Sequence, residues 1–198
     1  SGLASIGGRV VLGLPTGGLV VALYNAQGER LGSAEVQADG SYLATVAVSG
    51  PVIVVIEDVN GDEVNFLDEA QRDTRDLDRN ILSVGVVQPG QSVILNLNHL
   101  TTLAAYAAGV GVLGADSGQT VLSLETFRAD EVSLINQQVA QWLGLLGEDI
   151  SQVDISPVMD AQGQPVAADG LNAASLLEAL ISVVVSTSLD QGLQDLAQ

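Results

Sequence analysis

Asp58, Asn60 and Asp62 stand at alternate positions in the stretch "EDVNGDEVNFLDE", Glu57 to Glu69, which holds six carboxylates and two asparagines. Numbered from Asp58, these three occupy positions 1, 3 and 5 of a loop. Val64 offers a backbone carbonyl at 7, Phe66 acts through water at 9, and Glu69 closes at 12. That is the ligand spacing of an EF-hand-type calcium loop, in which a tight turn points alternate side chains inward and a last bidentate carboxylate completes the sphere. Calcium is a hard cation and takes such an all-oxygen set, whereas magnesium demands fewer and stricter ligands. Two departures stand out. Position 6 is Glu63 where glycine is preferred, so the sharp turn is expected at Gly61. The loop also follows the apolar run "VIVVI" rather than a helix. Asp68 is the alternative closing ligand.

Other chemistry is thinly represented. His99 is the only histidine and there is no cysteine, so a Ser-His-Asp arrangement would have to use His99, and thiolate chemistry is excluded. His99 sits in "NLNHLTTL", where capping or packing is the expected role. "GLPTGG" and "GVGVLG" lack the strand–loop–helix context of a phosphate loop. Paired carboxylates for glycoside cleavage would need aromatic platforms, and the one tryptophan falls on a helix face that reads as core. In "RDTRDLDRN", Arg72 to Asn80, opposite charges alternate. The expected role is self-pairing, with Asp73, Asp76 or Asp78 as secondary contributors to a cation cluster. Asp154, Asp160 and Asp169 match no metal spacing and read as turn residues.

The elements that would position the loop read as strands first and helices later. Seven β-rich runs, "RVVLGL", "LVVALYN", "RLGSAEVQ", "SYLATVAV", "VIVVIED", "ILSVGVV" and "SVILNLN", are separated by Gly-, Pro- and Asp-containing turns. This spacing predicts an antiparallel sandwich. Tyr42, Ala44, Val46 and Val48 alternate onto one face. From His99 the period changes. "TTLAAYAAG" predicts a short helix with a threonine start and a glycine stop. Ser123–Gly147 predicts a long helix with Val132, Ile135, Val139, Trp142, Leu143 and Leu146 on one face and Gly147 as its end. Asn172 to about Ala197 predicts a further helix, broken near Ser186 to Asp190. The apolar segment Ala173–Ser186 is shorter than a spanning helix requires and contains Glu178, so it reads as a buried core helix, without membrane insertion. The fold class is therefore α+β. Residues 1–98 form a seven-stranded sandwich carrying the calcium loop, and residues 99–198 a layer of three to four helices packed on it as one unit.

The formal net charge is -18, from 24 acidic residues against six arginines and no lysine. Such a surface repels nucleic acid and anionic lipid and favours cations.

The segment "GGRVVLGLPTGGLVVALYNAQGERLGSAEVQADGSYLATV", above all "ADGSYLATV", resembles the transthyretin-like or carboxypeptidase-regulatory-like sandwich domains, which have an Ig-like fold. "DVNGDEVNFLDEA" followed by "LNLNHLTTLAAYAAG" resembles a module of large bacterial surface proteins, including the giant RTX adhesins exported by the type I route. This resemblance implies an extracellular, cell-surface location, neighbouring domains in a longer chain, a role in adhesion and biofilm contact, and an export signal outside this sequence. It suits a non-enzymatic, Ca²⁺-binding module whose partner is a peptide carboxylate or a neutral glycan bridged through the ion. A structural spacer without ligand binding is the alternative.

Overall fold

The computed structural model describes residues 2–116 and 119–188. Within them the strands are β1 (Leu3–Arg9), β2 (Leu14–Pro15), β3 (Leu19–Asn25), β4 (Arg30–Glu35), β5 (Ser41–Ala47), β6 (Gly50–Asp58), β7 (Phe66–Asp68), β8 (Asp73–Arg75), β9 (Leu82–Val87), β10 (Ser92–Ile94), β11 (Gly111–Asp116) and β12 (Gln119–Ser123). The α-helices are α1 (His99–Ala107), α2 (Val132–Trp142) and α3 (Ala173–Ser188). The protein is a mixed α+β fold with several sheets.

Val52–Ile56 is an unbroken apolar run because its strand is covered on both faces. β6 lies inside a four-stranded sheet of order β4-β3-β6-β9. One face presents Leu19, Val21, Leu23, Val52, Val54 and Ile56 to a second sheet, of order β10-β1-β5, whose Ile6, Tyr42 and Val46 complete that core. Successive strand residues point to opposite faces. Ala22, Tyr24, Ile53, Val55, Leu82 and Val84 therefore face the other way, onto Leu100, Leu103 and Ala104 of α1 and Val132, Ile135 and Val139 of α2. The expected face of Tyr42, Ala44 and Val46 is buried, and Val48 packs beside it.

Several expected boundaries move. The first strand lies at Leu3–Arg9 rather than Arg9–Leu14, and beyond it Val10 makes only an isolated bridge to Leu97. The pairing is not wholly antiparallel. The chain changes sheet after β9, and β10 runs parallel to β1, with Ser5 opposite Ser92. Helix α1 starts earlier than Thr101. Asn98 caps it, accepting from Thr101 N at 2.9 Å, while Thr101 Oγ1 accepts from Asn98 N at 3.0 Å. This is a reciprocal capping box. Gly109 does end the helix, with φ of 86°, and a Cβ there would lie 2.0 Å from Thr126 O.

The expected long helix Ser123–Gly147 is shorter. Residues 111–116 and 119–123 form the β11–β12 hairpin, and α2 is confined to Val132–Trp142. Gly144, with φ of 78°, follows two residues later. Trp142 and Leu146 do not join the core, being 71% and 74% exposed. With the helix over by then, the 3.6-residue period no longer sets where Leu146 falls. Helix α3 is continuous to Ser188, and the helix expected beyond it lies outside the described residues. Among the described residues no helix is long and apolar enough to cross a membrane.

Candidate functional site: the acidic loop and its anchors

The loop leaves β6 at Asp58 and re-enters a strand at Phe66. Asp58 Oδ1 accepts from Asn60 N at 2.9 Å, which folds the first residues into an Asx turn. Gly61 carries the sharp turn expected of it, with φ of 72°. The side chain at the centre is one that sequence reasoning passed over. Asn65 is fully buried. Its Oδ1 accepts from Leu77 N at 2.7 Å, which aims Nδ2 at four oxygens. These are Gly17 O at 3.2 Å, Gly18 O at 3.5 Å, Asp58 Oδ1 at 3.2 Å and Asn60 Oδ1 at 2.8 Å. The end of the Asn60 amide also lies 2.6 Å from Asp58 Oδ1. With oxygen there it accepts from Asn65. With nitrogen there it donates to Asp58 and to Glu63 O, 3.3 Å away.

Of the remaining candidate ligands, Asp68 and Glu69 are placed apart from this focus. Asp62 and Val64 are exposed, and Val64 O accepts from Thr16 Oγ1 at 3.5 Å. Asp68 is 1% exposed, and its carboxylate faces two guanidinium groups, Arg79 at 3.4 Å and Arg75 at 3.6 Å. It also accepts from Ala70 N at 2.8 Å and Gln71 N at 3.2 Å. Glu69 Oε1 accepts from Val158 N at 2.7 Å and Met159 N at 3.1 Å, tying the loop to the segment before α3. The structure thus brings Asp58 and Asn60 together and turns Asp68 and Glu69 elsewhere. The reason is local. After position 8 the chain enters β7, which pairs with β2 and β8, and an extended strand carries its carboxylates away from the turn. The helix that follows an EF-hand loop would curl them back. Among the described residues no three acidic or histidine side chains gather as a metal cluster.

The "RDTRDLDRN" segment pairs internally through Arg75–Asp78 at 3.6 Å and Arg79–Asp78 at 2.7 Å, and shares both arginines with Asp68. Arg79 also lies 5.6 Å from the centre of the Phe66 ring.

Burial pushes the Glu69 carboxyl above its ordinary value, against the two backbone N–H bonds, with Glu178 and Asp68 adding negative field. A carboxyl with a raised folded-state value binds its proton more tightly folded than unfolded. Its contribution is favourable at low pH and is lost as pH rises from the ordinary value through the folded one. Glu69→Gln keeps an oxygen for Val158 and Met159 without the charge. Its melting temperature is expected to exceed wild type at pH 7, with the gap closing as pH falls below the ordinary glutamate range. A lower melting temperature at pH 7 in calcium-free buffer contradicts this.

Two buried polar groups lie elsewhere: Glu57, which was not foreseen, and His99, for which a capping or packing role was expected. Glu57, next to the loop, accepts from Tyr24 Oη at 2.8 Å and Thr120 N at 3.1 Å, and pairs with Arg30 at 2.8 Å. Burial, then the hydrogen bond to Glu57, raises the Tyr24 phenol to about 12. His99 has no solvent exposure, and its Nδ1 lies 2.5 Å from Glu178 Oε1. The same carboxylate accepts from His99 N at 3.0 Å and Leu100 N at 3.2 Å.

No protein-family model matches the chain, and no curated protein matches it. Among solved structures it is similar to a crystal structure of a DUF3823 family protein from Parabacteroides merdae, at 22% identity and a TM-score of 0.32. The match covers 49% of this chain and 45% of that one, so the chain spans less than half of the neighbour's length.

Proposed function

We propose that this chain is a non-enzymatic module of a secreted bacterial surface protein, in which the acidic loop takes up calcium and supports adhesion. The two stacked sheets, of three and four strands, then correspond to the Ig-like sandwich that the sequence resembles. The observation that carries the calcium reading is the turn at Gly61 that folds Asp58 and Asn60 together, with Asp58 Oδ1 accepting from Asn60 N at 2.9 Å. An ion would be held by Asp58, Asn60 and Asp62, with water completing its shell. Asp68 and Glu69 stay with their arginine and backbone partners. Only two carboxylates then serve the ion. Affinity should fall in the range of extracellular modules, about 10⁻⁴–10⁻³ M.

Titration calorimetry of the whole chain with CaCl₂ is expected to give one such site. Asp62→Ala should abolish the heat. Saturation at a hundredfold excess over the dissociation constant should add about 2.7 kcal/mol of stability. No heat, with melting unchanged by chelator, would refute the calcium reading. Glycan and peptide arrays read with calcium and then with chelator test ligand capture.

The second reading is a spacer without ligand binding. It is favoured by the Asn65 amide and the Arg79 guanidinium, which already satisfy the loop's buried oxygens.

A further inference from the structure

Strand β12 turns one edge toward the turn that joins β3 and β4. On that edge Thr120 N donates to Glu57 Oε1 at 3.1 Å, and Tyr24 Oη lies 3.4 Å from Thr120 O. The main-chain groups of successive residues in an antiparallel strand alternate between its two edges. Val121, opposite Gly114, therefore faces β11, and the N–H and C=O of Leu122 share the edge of Thr120. Among the described residues neither Leu122 group has a hydrogen-bond partner. The free stretch is one residue long, because Leu124 O, beyond it, accepts from Phe127 N at 3.2 Å.

An open cleft of about 370 Å³ lies along this edge. Thr120, Leu122 and Leu124 line it from β12 and its end, and Gln27, Gly28 and Arg30 line it from the β3–β4 turn and β4. Its size is that of a small-molecule site. Gly28 has φ of 80°, and a Cβ there would lie 3.4 Å from Leu124 Cδ1, so a longer side chain would fill the space between the two walls. Arg30 engages Nη1 with Glu57 Oε2 at 2.8 Å and with Tyr24 Oη at 3.5 Å. Its Nε and Nη2 have no partner among the described residues. The cleft thus sets an acceptor, Leu122 O, and a donor, the Arg30 guanidinium, on different walls, with the apolar Leu124 beside them. A trans secondary amide is planar and presents its N–H and C=O in opposite directions, which matches such a pair.

We propose that this cleft binds the acetamido group of a neutral N-acetylated sugar. The acetamido N–H donates to Leu122 O, its C=O accepts from Arg30, and its methyl lies against Leu124. Leu122 N–H and the Gln27 amide serve the ring hydroxyls. A peptide strand would need free main-chain groups at every second residue, and here Leu122 stands alone between the engaged Thr120 and Leu124. Charge selects a neutral ligand. Glu57 offsets the Arg30 guanidinium, and Glu29 and Glu125 stand next to Arg30 and Leu124 in a chain of net charge -18. An anion meets that negative field and a cation meets Arg30. The inference does not rest on the calcium reading, and its test is run in chelator.

The isotopically labelled full chain is titrated with methyl N-acetyl-β-glucosaminide, and with methyl β-glucoside, which carries a hydroxyl in place of the acetamido group. Shifts are expected at the amides of Gly28, Thr120 and Leu122 and at the Arg30 Nε–H, with a dissociation constant of about 10⁻³ M. The glucoside should bind roughly tenfold more weakly, the loss that ~1.4 kcal/mol of hydrogen bonding represents. Arg30→Lys keeps a positive charge for Glu57 but loses the planar donor edge, and should weaken binding similarly while still melting cooperatively. Should that variant fail to fold, the two sugars on the wild-type chain decide. Equal binding of the glucoside, shifts confined to the acidic loop, or no shift at tenfold above the expected constant would overturn the proposal. Tighter binding of N-acetylglycine methylamide than of the acetamido sugar would show a site for peptide amides and overturn the choice of ligand.

Discussion

Glu178→Ala is expected to lower the unfolding free energy by about 3–5 kcal/mol, the usual cost of removing one partner from a buried ionic or hydrogen-bonded pair. The carboxylate is nearly solvent-free and reaches across from α3 to the first turn of α1. It accepts from two helix N–H groups, His99 and Leu100, and from the His99 ring. Truncation strands all three donors away from water. His99 Nε2 already has no partner, so the ring has no second anchor. In a chain of this size the melting temperature should fall by roughly 6–20 °C. Glu178→Gln keeps one acceptor oxygen and should lose less. Urea unfolding of both variants checks the order. An alanine variant within about 0.5 kcal/mol of wild type, an ordinary surface effect, would show that the contact does not hold α3 in place.

A chain ending at Asn98 is expected to aggregate or to lose its cooperative transition. The helices cover Ile53, Val55, Leu82 and Val84, which are otherwise the bare outer face of the four-stranded sheet. Fully burying such a side chain contributes about 1.5–3 kcal/mol, so these four represent roughly 6–12 kcal/mol. That is comparable to the whole stability of a typical domain. The truncation also removes Thr101, Thr102 and Asn136, whose side chains satisfy the β9 edge. Light scattering and thermal melting of the shortened chain are the measurement. A soluble monomer of residues 1–98, melting with the full chain, would make the two parts independent domains.

The strand-rich first half and helical second half were legible because local pattern carries them. The two-residue alternation of Tyr42, Ala44 and Val46 and the spacing of Val132, Ile135 and Val139 each require one buried face, whatever lies opposite. The run Val52–Ile56 was legible as a strand, and the structure shows it covered on both faces. Glu178 was legible only as the carboxylate that interrupts an apolar helix, and its pairing with His99 was not readable across so long a separation. The turn at Gly61 was also legible, since a displaced glycine shows in the sequence itself.

Only the tertiary structure decided which oxygens of the acidic loop converge. The alternate spacing of Asp58, Asn60 and Asp62 is a local property, and the turn that gathers Asp58 and Asn60 is local too. Where Asp68 and Glu69 point depends on β7 pairing with β2 and β8, and on Arg75, Arg79 and the Val158–Met159 backbone arriving from elsewhere. Asn65 gave no signal, because an asparagine reads as a turn residue until four oxygens from two loops are brought around it. Ligand spacing along a chain states what a loop is able to offer, and the partners that fold against it determine which of those groups remain available.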